Sequence, residues 1–201
     1  MADAQVSLEI VPNDERAARL VMEWRNDPHT LANSFDGTPK QWPQFFEEFR
    51  DRYLSDATLP CLFALNGGRR VAFVRFRRLP YLVNGQSACD ISINVAPADR
   101  GVGYGGAAIK IAMQVARNAG VGVVVADIKP DNKASIAMFE KCGFIYSSDV
   151  EHESPTNGKR ATVKRFLRTT IDLCPIPGSS LAIGSGHCFV IAEAGSNWRM
   201  G

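Results

Sequence analysis

Arg100-Gly101-Val102-Gly103-Tyr104-Gly105-Gly106 lies between a strand-like run, Asp90 to Val95, and a helix-like run that carries Ala107, Ile109, Ile111, Met113 and Val115 to a stop at Gly120. Glycines at alternate positions leave a backbone without Cβ atoms, so consecutive N–H groups approach a ligand closely, and the helix N-terminus behind them adds partial positive charge. The stretch predicts a seat for a pyrophosphate. A side chain at Gly103 or Gly105 is expected to fall where the phosphates would lie.

Two ligand classes compete for such a seat. Gly101-x-Gly103-x-x-Gly106 also spells the dinucleotide fingerprint, and Asp127 follows about 20 residues on, after a valine-rich run. The neighbourhood argues against that reading. In dinucleotide folds the first glycine follows its strand directly, whereas here Ala96-Pro97-Ala98-Asp99-Arg100 intervenes, with a proline barred from a central ladder. Upstream, Asn84-Gly85 closes an antiparallel hairpin, and downstream only one helix precedes another hairpin, so no second βαβ half assembles. A Walker A loop is excluded because no Gly-Lys-Ser/Thr follows.

Arg100, Gly103 and Gly105 match the acyl-CoA loop Arg/Gln-x-x-Gly-x-Gly/Ala of the GNAT superfamily of N-acetyltransferases. Downstream, Asn132-Lys133-Ala134-Ser135-Ile136 and Phe139-Glu140-Lys141-Cys142-Gly143-Phe144 resemble the family's Asn-x-x-Ser-x-x-x-Tyr-x-Lys-x-Gly-Phe. The resemblance spans roughly Val6 to Leu167, and it implies acetyl-CoA as co-substrate. By its pattern, Arg100, Gly101, Val102, Gly103, Gly105 and Gly106 hold the pyrophosphate. The pantetheine arm adds like a strand beside Ile93 and Val95. Asn132 holds that arm near the thioester, with Ser135 and Phe139 alongside; a plain helix cap is the alternative for Asn132.

Composition narrows the partners. A net charge of +2 with no basic stripe gives no electrostatic footprint for nucleic acid or a membrane surface, so a small-molecule acceptor is expected. Cys61, Cys89, Cys142, Cys174 and Cys188 form no Cys-x-x-Cys pair and suit free thiols in a reducing compartment, with no metal cluster. The N-terminus lacks a signal-peptide pattern, which points to the cytoplasm. Assembly as a homodimer is left open by the sequence.

Taken in order, Val6 to Val11 alternates as a strand, and Asn13 is the expected cap of a helix carrying Ala17, Leu20, Val21 and Trp24. His29 reads as a lone surface histidine in a loop. Trp42 to Leu54 reads as one amphipathic helix bearing Phe45, Phe46, Phe49 and Tyr53. Strands follow at Leu59 to Leu65, Arg70 to Leu79 and Ser87 to Val95, with turns at Asn66-Gly67-Gly68 and Asn84-Gly85. The Gly103 to Ala119 helix then leads to a parallel strand, Val121 to Ile128. The Asn132 to Cys142 helix and a hairpin, Phe144 to Val150 with Ala161 to Leu167, close the domain. The expectation is a GNAT-like α/β fold: a mixed, mainly antiparallel sheet with one central parallel βαβ step and helices on both faces.

Acetyl transfer needs a neutral amine, so a base must take a proton from the acceptor. Asp90, on the strand beside the expected thioester, is the candidate; a structural hydrogen bond at the strand's start is the alternative. Phe139 stands where many GNAT enzymes carry a tyrosine, so the general acid is unassigned. Trp24-Arg25-Asn26 resembles a GNAT subgroup that modifies ribosomal protein N-termini or aminosugar nucleotides. These three residues, with Arg75 and Arg77, are the expected acceptor contacts, although Trp24 equally suits a core. A nucleotide-sugar acceptor calls for a second anion seat, for which Arg25, Arg75, Arg77 and Arg78 are the available donors.

Beyond residue 170 the composition shifts to a Pro/Gly/Ser linker, expected over 171–187. Phe189-Val190-Ile191-Ala192-Glu193-Ala194-Gly195-Ser196-Asn197 resembles the opening strand of the sialic acid synthase family, so 188–201 reads as the start of such a barrel. The resemblances together imply an acetyltransferase, residues 1–170, acting on a UDP-linked aminosugar on the way to nonulosonic (sialic-like) acids. A protein N-terminus is the rival acceptor, and an acetyl-CoA-binding module without turnover is the rival class.

Overall fold

The computed structural model describes residues 4–153, 158, 160–170, 173–175 and 182–184. Strand β1 (Ser7–Ile10) leads to helices α1 (Glu15–Asn26), α2 (Pro28–Asn33) and α3 (Gln44–Glu48), the last continuing as a π-helical turn, Phe49–Tyr53. A meander follows, β2 (Leu62–Asn66), β3 (Arg69–Arg78) and β4 (Ala88–Val95), and a 3₁₀ turn, Pro97–Asp99, delivers the chain to α4 (Tyr104–Asn118). Strand β5 (Val123–Ile128), helix α5 (Lys133–Lys141) and the hairpin β6 (Ile145–Glu153) and β7 (Arg160–Thr169) complete the first unit.

The seven strands lie in the order β1-β2-β3-β4-β5-β7-β6. All neighbours are antiparallel except β4 and β5, the pair joined through α4. This is the mixed sheet with one parallel step expected from the glycine stretch. Strand alternation turns Val74, Phe76, Cys89, Ile91, Val124 and Ala126 to one face, where α4 and α5 bring Ala108, Ile109, Ala112 and Phe139. On the other face Phe63 and Phe73 meet Ala17, Ala18, Val21 and Trp24 of α1 and the aromatic group Phe45, Phe49 and Tyr53. Helices thus cover both faces. On the second face, however, β4, β5 and β7 present polar residues, among them Asp90, Ser92, Asp127 and Arg165.

Several local expectations need correction. The cap of α1 is Asp14, not Asn13: its carboxylate accepts from Ala17 N at 2.7 Å, an interaction worth about 1 kcal/mol. His29 lies in α2, not in a loop, because Asp27 caps that short helix through Thr30 N and Pro28 pre-sets its first turn. The Trp42 to Leu54 helix is shorter at its start and ends in the π-helical turn. Strand β2 begins at Leu62, three residues later than the apolar run suggests.

The chain divides into two compact units, Met1–Thr170 and Ile171–Gly201. The first ends on Thr170, whose hydroxyl donates to Val121 O at 2.6 Å. In the second, a short antiparallel hairpin pairs β8 (Leu173–Pro175) with β9 (Ala182–Gly184), inside the segment read as linker. The stretch 188–201 lies outside the described residues.

Candidate active site

The glycine loop is held from two sides. Arg69, at the start of β3, makes paired hydrogen bonds to Asp99 at 2.6 and 2.7 Å, and Asp99 is itself buried in the 3₁₀ turn that leads into the loop. Arg100 donates to Asp27 at 2.5 Å and to Thr30 Oγ1 at 3.0 Å, tying the loop to the α1–α2 junction. The Arg69 guanidinium holds the Asp99 carboxyl below the usual carboxylate range, and Arg100 does the same to Asp27. The loop pattern places Arg100 among the phosphate contacts; in the structure it anchors the loop.

Gly101 and Gly103 adopt φ of +78° and +100°, a region L side chains rarely enter, and Gly103 begins α4 without a side-chain cap. No acidic residue stands in the first turn of this 15-residue helix. The first N–H groups of α4 therefore have neither a carbonyl of their own helix nor a capping side chain to donate to, and they face the loop. Gly105 has a different purpose from the one expected. A Cβ there would fall 2.7 Å from Met138 Sδ and 3.2 Å from Val95 Cγ2, so its glycine lets α4 pack against α5 and β4.

Beside this helix end the sheet opens. Parallel pairing between β4 and β5 covers only Ala88, Cys89 and Asp90. Ala96 N donates to Val71 O, and Leu79 N to Ala88 O, so even-numbered residues of this stretch turn their backbone groups toward β3. By the two-residue alternation, Ile93 and Val95 turn theirs toward β5, past the last registered pair. Their amide and carbonyl groups are those an extended ligand arm would meet. Both residues are half-buried, and Val102 on the loop is exposed.

Asp90 stands where the strands part. Arg77, directly across on β3, donates to it at 3.0 Å, and the Asp90 side chain keeps 30% of its surface. Burial raises its carboxyl above the ordinary value and neighbouring Asp127 adds to the rise, while Arg77 and Arg75 pull it back. The sequence reading assigns Asp127 no place in this site. The structure sets it on the same face as Asp90, clasped by Arg165 at 2.8 and 2.7 Å. The usable signal is strand alternation: Val123, Val125 and Asp127 share a side. The nearby thiol of Cys89 is no competitor as nucleophile, since burial pushes it up to about 12.

The remaining candidates divide into occupied and available groups. Trp24 packs edge-on to Phe63 and keeps 4% of its surface, so its ring belongs to the core. Asn26 is committed to the loop before α3, donating to Lys40 O at 2.8 Å and accepting from Lys40 N at 2.7 Å. Arg78 bonds Asp56, Thr58 and the carbonyl of Ala119. Asn132 caps α5, accepting from Ser135 N at 3.2 Å. Phe139 is buried edge-on to Phe144, with ring centroids 4.9 Å apart. Arg25 and Arg75 instead both lie over the ring of Tyr53, at 5.6 and 3.8 Å from its centroid.

A mixed sheet whose one parallel pair parts beside an uncapped, glycine-led helix defines an acyltransferase that takes its acyl group from a CoA thioester. The sequence profile of the Acetyltransferase (GNAT) family matches residues 18–144, and the chain belongs to that family. Among solved structures, a spermidine N-acetyltransferase from Vibrio cholerae in complex with CoA and spermine superposes with a TM-score of 0.68 at 17% identity, covering 84% of this chain and 97% of that one. A ribosomal-protein-alanine N-acetyltransferase from Brucella melitensis gives 0.61 at 20% identity, covering 81% and 99%. An aminoglycoside acetyltransferase in complex with coenzyme A gives 0.63 at 16% identity, covering 82% and 95%. Compared as a sequence with curated proteins, the chain matches none. Among the described residues no helix is long and apolar enough to cross a membrane.

Proposed function

We propose that this chain transfers the acetyl group of acetyl-CoA to the amine of a nucleotide-linked aminosugar in the cytoplasm, a step in nonulosonic acid biosynthesis. The observation that carries the transferase chemistry is the parting of β4 from β5 immediately after Asp90, next to the uncapped start of α4. The pyrophosphate would lie on the loop N–H groups, with the pantetheine along Ile93 and Val95. That puts the thioester near Asp90. A carboxyl raised by burial takes a proton from an ammonium group more readily than an ordinary aspartate. The neutral amine attacks the thioester carbonyl; the new N–C bond forms, the C–S bond breaks, and CoA leaves as thiolate. A backbone N–H of the parted strand would stabilise the intermediate oxyanion.

No phenol stands at residue 139, and none is required. A thiol of pKa about 8.5 departs readily as thiolate, so Phe139→Tyr is expected to change kcat by less than about tenfold. A gain well beyond that in a steady-state assay would favour the binding-module reading, in which the natural chain turns over poorly.

Similar folds carry names with spermidine, aminoglycoside and ribosomal-protein acceptors, so the acceptor is a matter of side chains rather than of fold. The sialic acid synthase-like segment near the C-terminus supports the aminosugar, and of Trp24-Arg25-Asn26 it is Arg25 that is left available to meet it. The deciding assay incubates the protein with acetyl-CoA and either UDP-linked 4-amino sugars or N-terminal peptides and follows free thiol. Release with the sugar alone is expected. Release with peptides alone would replace the sugar by a protein N-terminus, and release with neither would leave a binding module.

A further inference from the structure

Among the described residues, most half-buried arginines have a polar partner. Of the half-buried ones, Arg70, Arg100 and Arg165 meet Glu9, Asp27 and Asp127, and Arg168 donates to the carbonyl of Cys142. Arg25 and Arg75 differ in their buried Nε atoms. Neither meets a carboxylate, and the Nε of each is buried without a hydrogen-bond partner. Arg75 has one hydrogen bond, from Nη2 to Arg52 O at 3.3 Å. Both guanidinium groups lie within 6 Å of the centroid of one ring, that of Tyr53. Tyr53 keeps 4% of its surface, and its hydroxyl too is buried without a partner.

Such a cluster is costly as it stands. Two like charges share one aromatic ring, and three buried polar atoms lack partners, although such atoms are nearly always satisfied in folded proteins. A single anion between the two guanidinium groups would cancel the repulsion and accept from both, in the paired geometry that carboxylate and phosphate oxygens offer arginine. The place is also right. Arg75 sits opposite Ser92, on the same face of the sheet as Asp90 and one two-residue step along β4 from it, roughly 7 Å of strand. The Arg75 charge is near enough to Asp90 to pull its carboxyl back.

We propose that Arg25, Arg75 and Tyr53 form an anion seat on the acceptor side of the active site, which selects acceptors carrying a phosphate or carboxylate about one sugar ring from the amine. The seat rests on the acetyltransferase reading only for its role in catalysis; its existence is a separate matter. Of the four arginines that a nucleotide-sugar acceptor brings into question, the structure assigns these two, because Arg77 is taken by Asp90 and Arg78 by Asp56. Two uncompensated cations also disfavour polycationic amines as acceptors.

The test is a calorimetric titration of UDP, inorganic phosphate and malonate into protein saturated with CoA, which removes the glycine loop as a competing phosphate site. UDP or phosphate binding ahead of malonate identifies a phosphate seat, and the reverse order a carboxylate seat. Arg25→Met with Arg75→Met is expected to weaken the preferred anion at least tenfold while CoA affinity stays within twofold, which also reports an intact fold. Tyr53→Phe is the gentler variant. It should weaken the anion severalfold yet raise Tm by about 2 °C, because a buried hydroxyl without a partner is lost from the empty protein. No binding of any of the three anions, or equal binding by the wild type and the double variant, overturns the seat. A wild type that fails to bind CoA strikes instead at the acetyltransferase reading, and the anion titration of the unloaded protein against the double variant then reads the seat by itself.

Discussion

Gly103→Val is expected to weaken acetyl-CoA binding by roughly 100-fold, the weight of one to a few kcal/mol of backbone strain together with the phosphate hydrogen bonds it disturbs. The residue sits at φ +100°, and a Cβ there would be in ordinary contact, 3.7 Å from the Ala4 Cβ. The fault therefore lies in the backbone itself. A β-branched side chain resists the left-handed region, so the loop must turn to another conformation. Turning it redirects the N–H groups at the start of α4. Calorimetry with acetyl-CoA reads the effect, with circular dichroism to confirm that the sheet has formed. Unchanged affinity in a folded variant would remove the loop from the site, and tight NAD binding by the natural chain with none of CoA would restore the dinucleotide reading.

Asp90→Asn should cost about 10²- to 10⁴-fold in kcat/KM, the usual range for a lost general base, and the deficit should narrow as pH falls below the elevated Asp90 value, where the wild-type carboxyl is itself protonated. The wild-type rate should climb as pH rises through the elevated Asp90 value, and the variant should lose that inflection. Stability moves the other way. A carboxyl raised above its unfolded value stabilises the fold below the unfolded pKa and loses that contribution as pH rises through the folded one, so at neutral pH its ionised form is a burden. Asparagine removes the charge, and Tm at neutral pH is expected to rise slightly as activity falls. A variant whose rate and pH profile match the wild type would leave Asp90 with only its bond to Arg77.

The order of strands and the place of the parallel step were legible because glycines, apolar periodicity and the two Gly-containing turns all point the same way from residue 62 to residue 128. Helix α2 was not, since its six residues bury no side chain and leave no apolar rhythm to read. The π-helical turn escaped for the opposite reason: Phe45, Phe46, Phe49 and Tyr53 keep a spacing that an ordinary helix satisfies equally well. Register decided much of the site. The Asn84-Gly85 turn pairs Val83 with Gln86, and a regular hairpin from there would set Arg77 opposite Ser92. The Pro80-Tyr81 stretch steps out of the ladder and moves Arg77 opposite Asp90 instead. No local pattern encodes that shift by two, or the sorting of arginines into those with carboxylates and those without.

The clamps on the glycine loop give the site an unusual response to acid. Asp27 and Asp99, held low by Arg100 and Arg69, contribute stability above their unfolded values and lose it only as pH falls through the lowered folded ones. Asp90 is shifted in the opposite direction and takes up its proton first. With Asp90 in its proposed role as base, acidification is expected to stop the chemistry while the loop is still fastened at both sides. A return to neutral pH is then expected to restore turnover without the loop having to refasten.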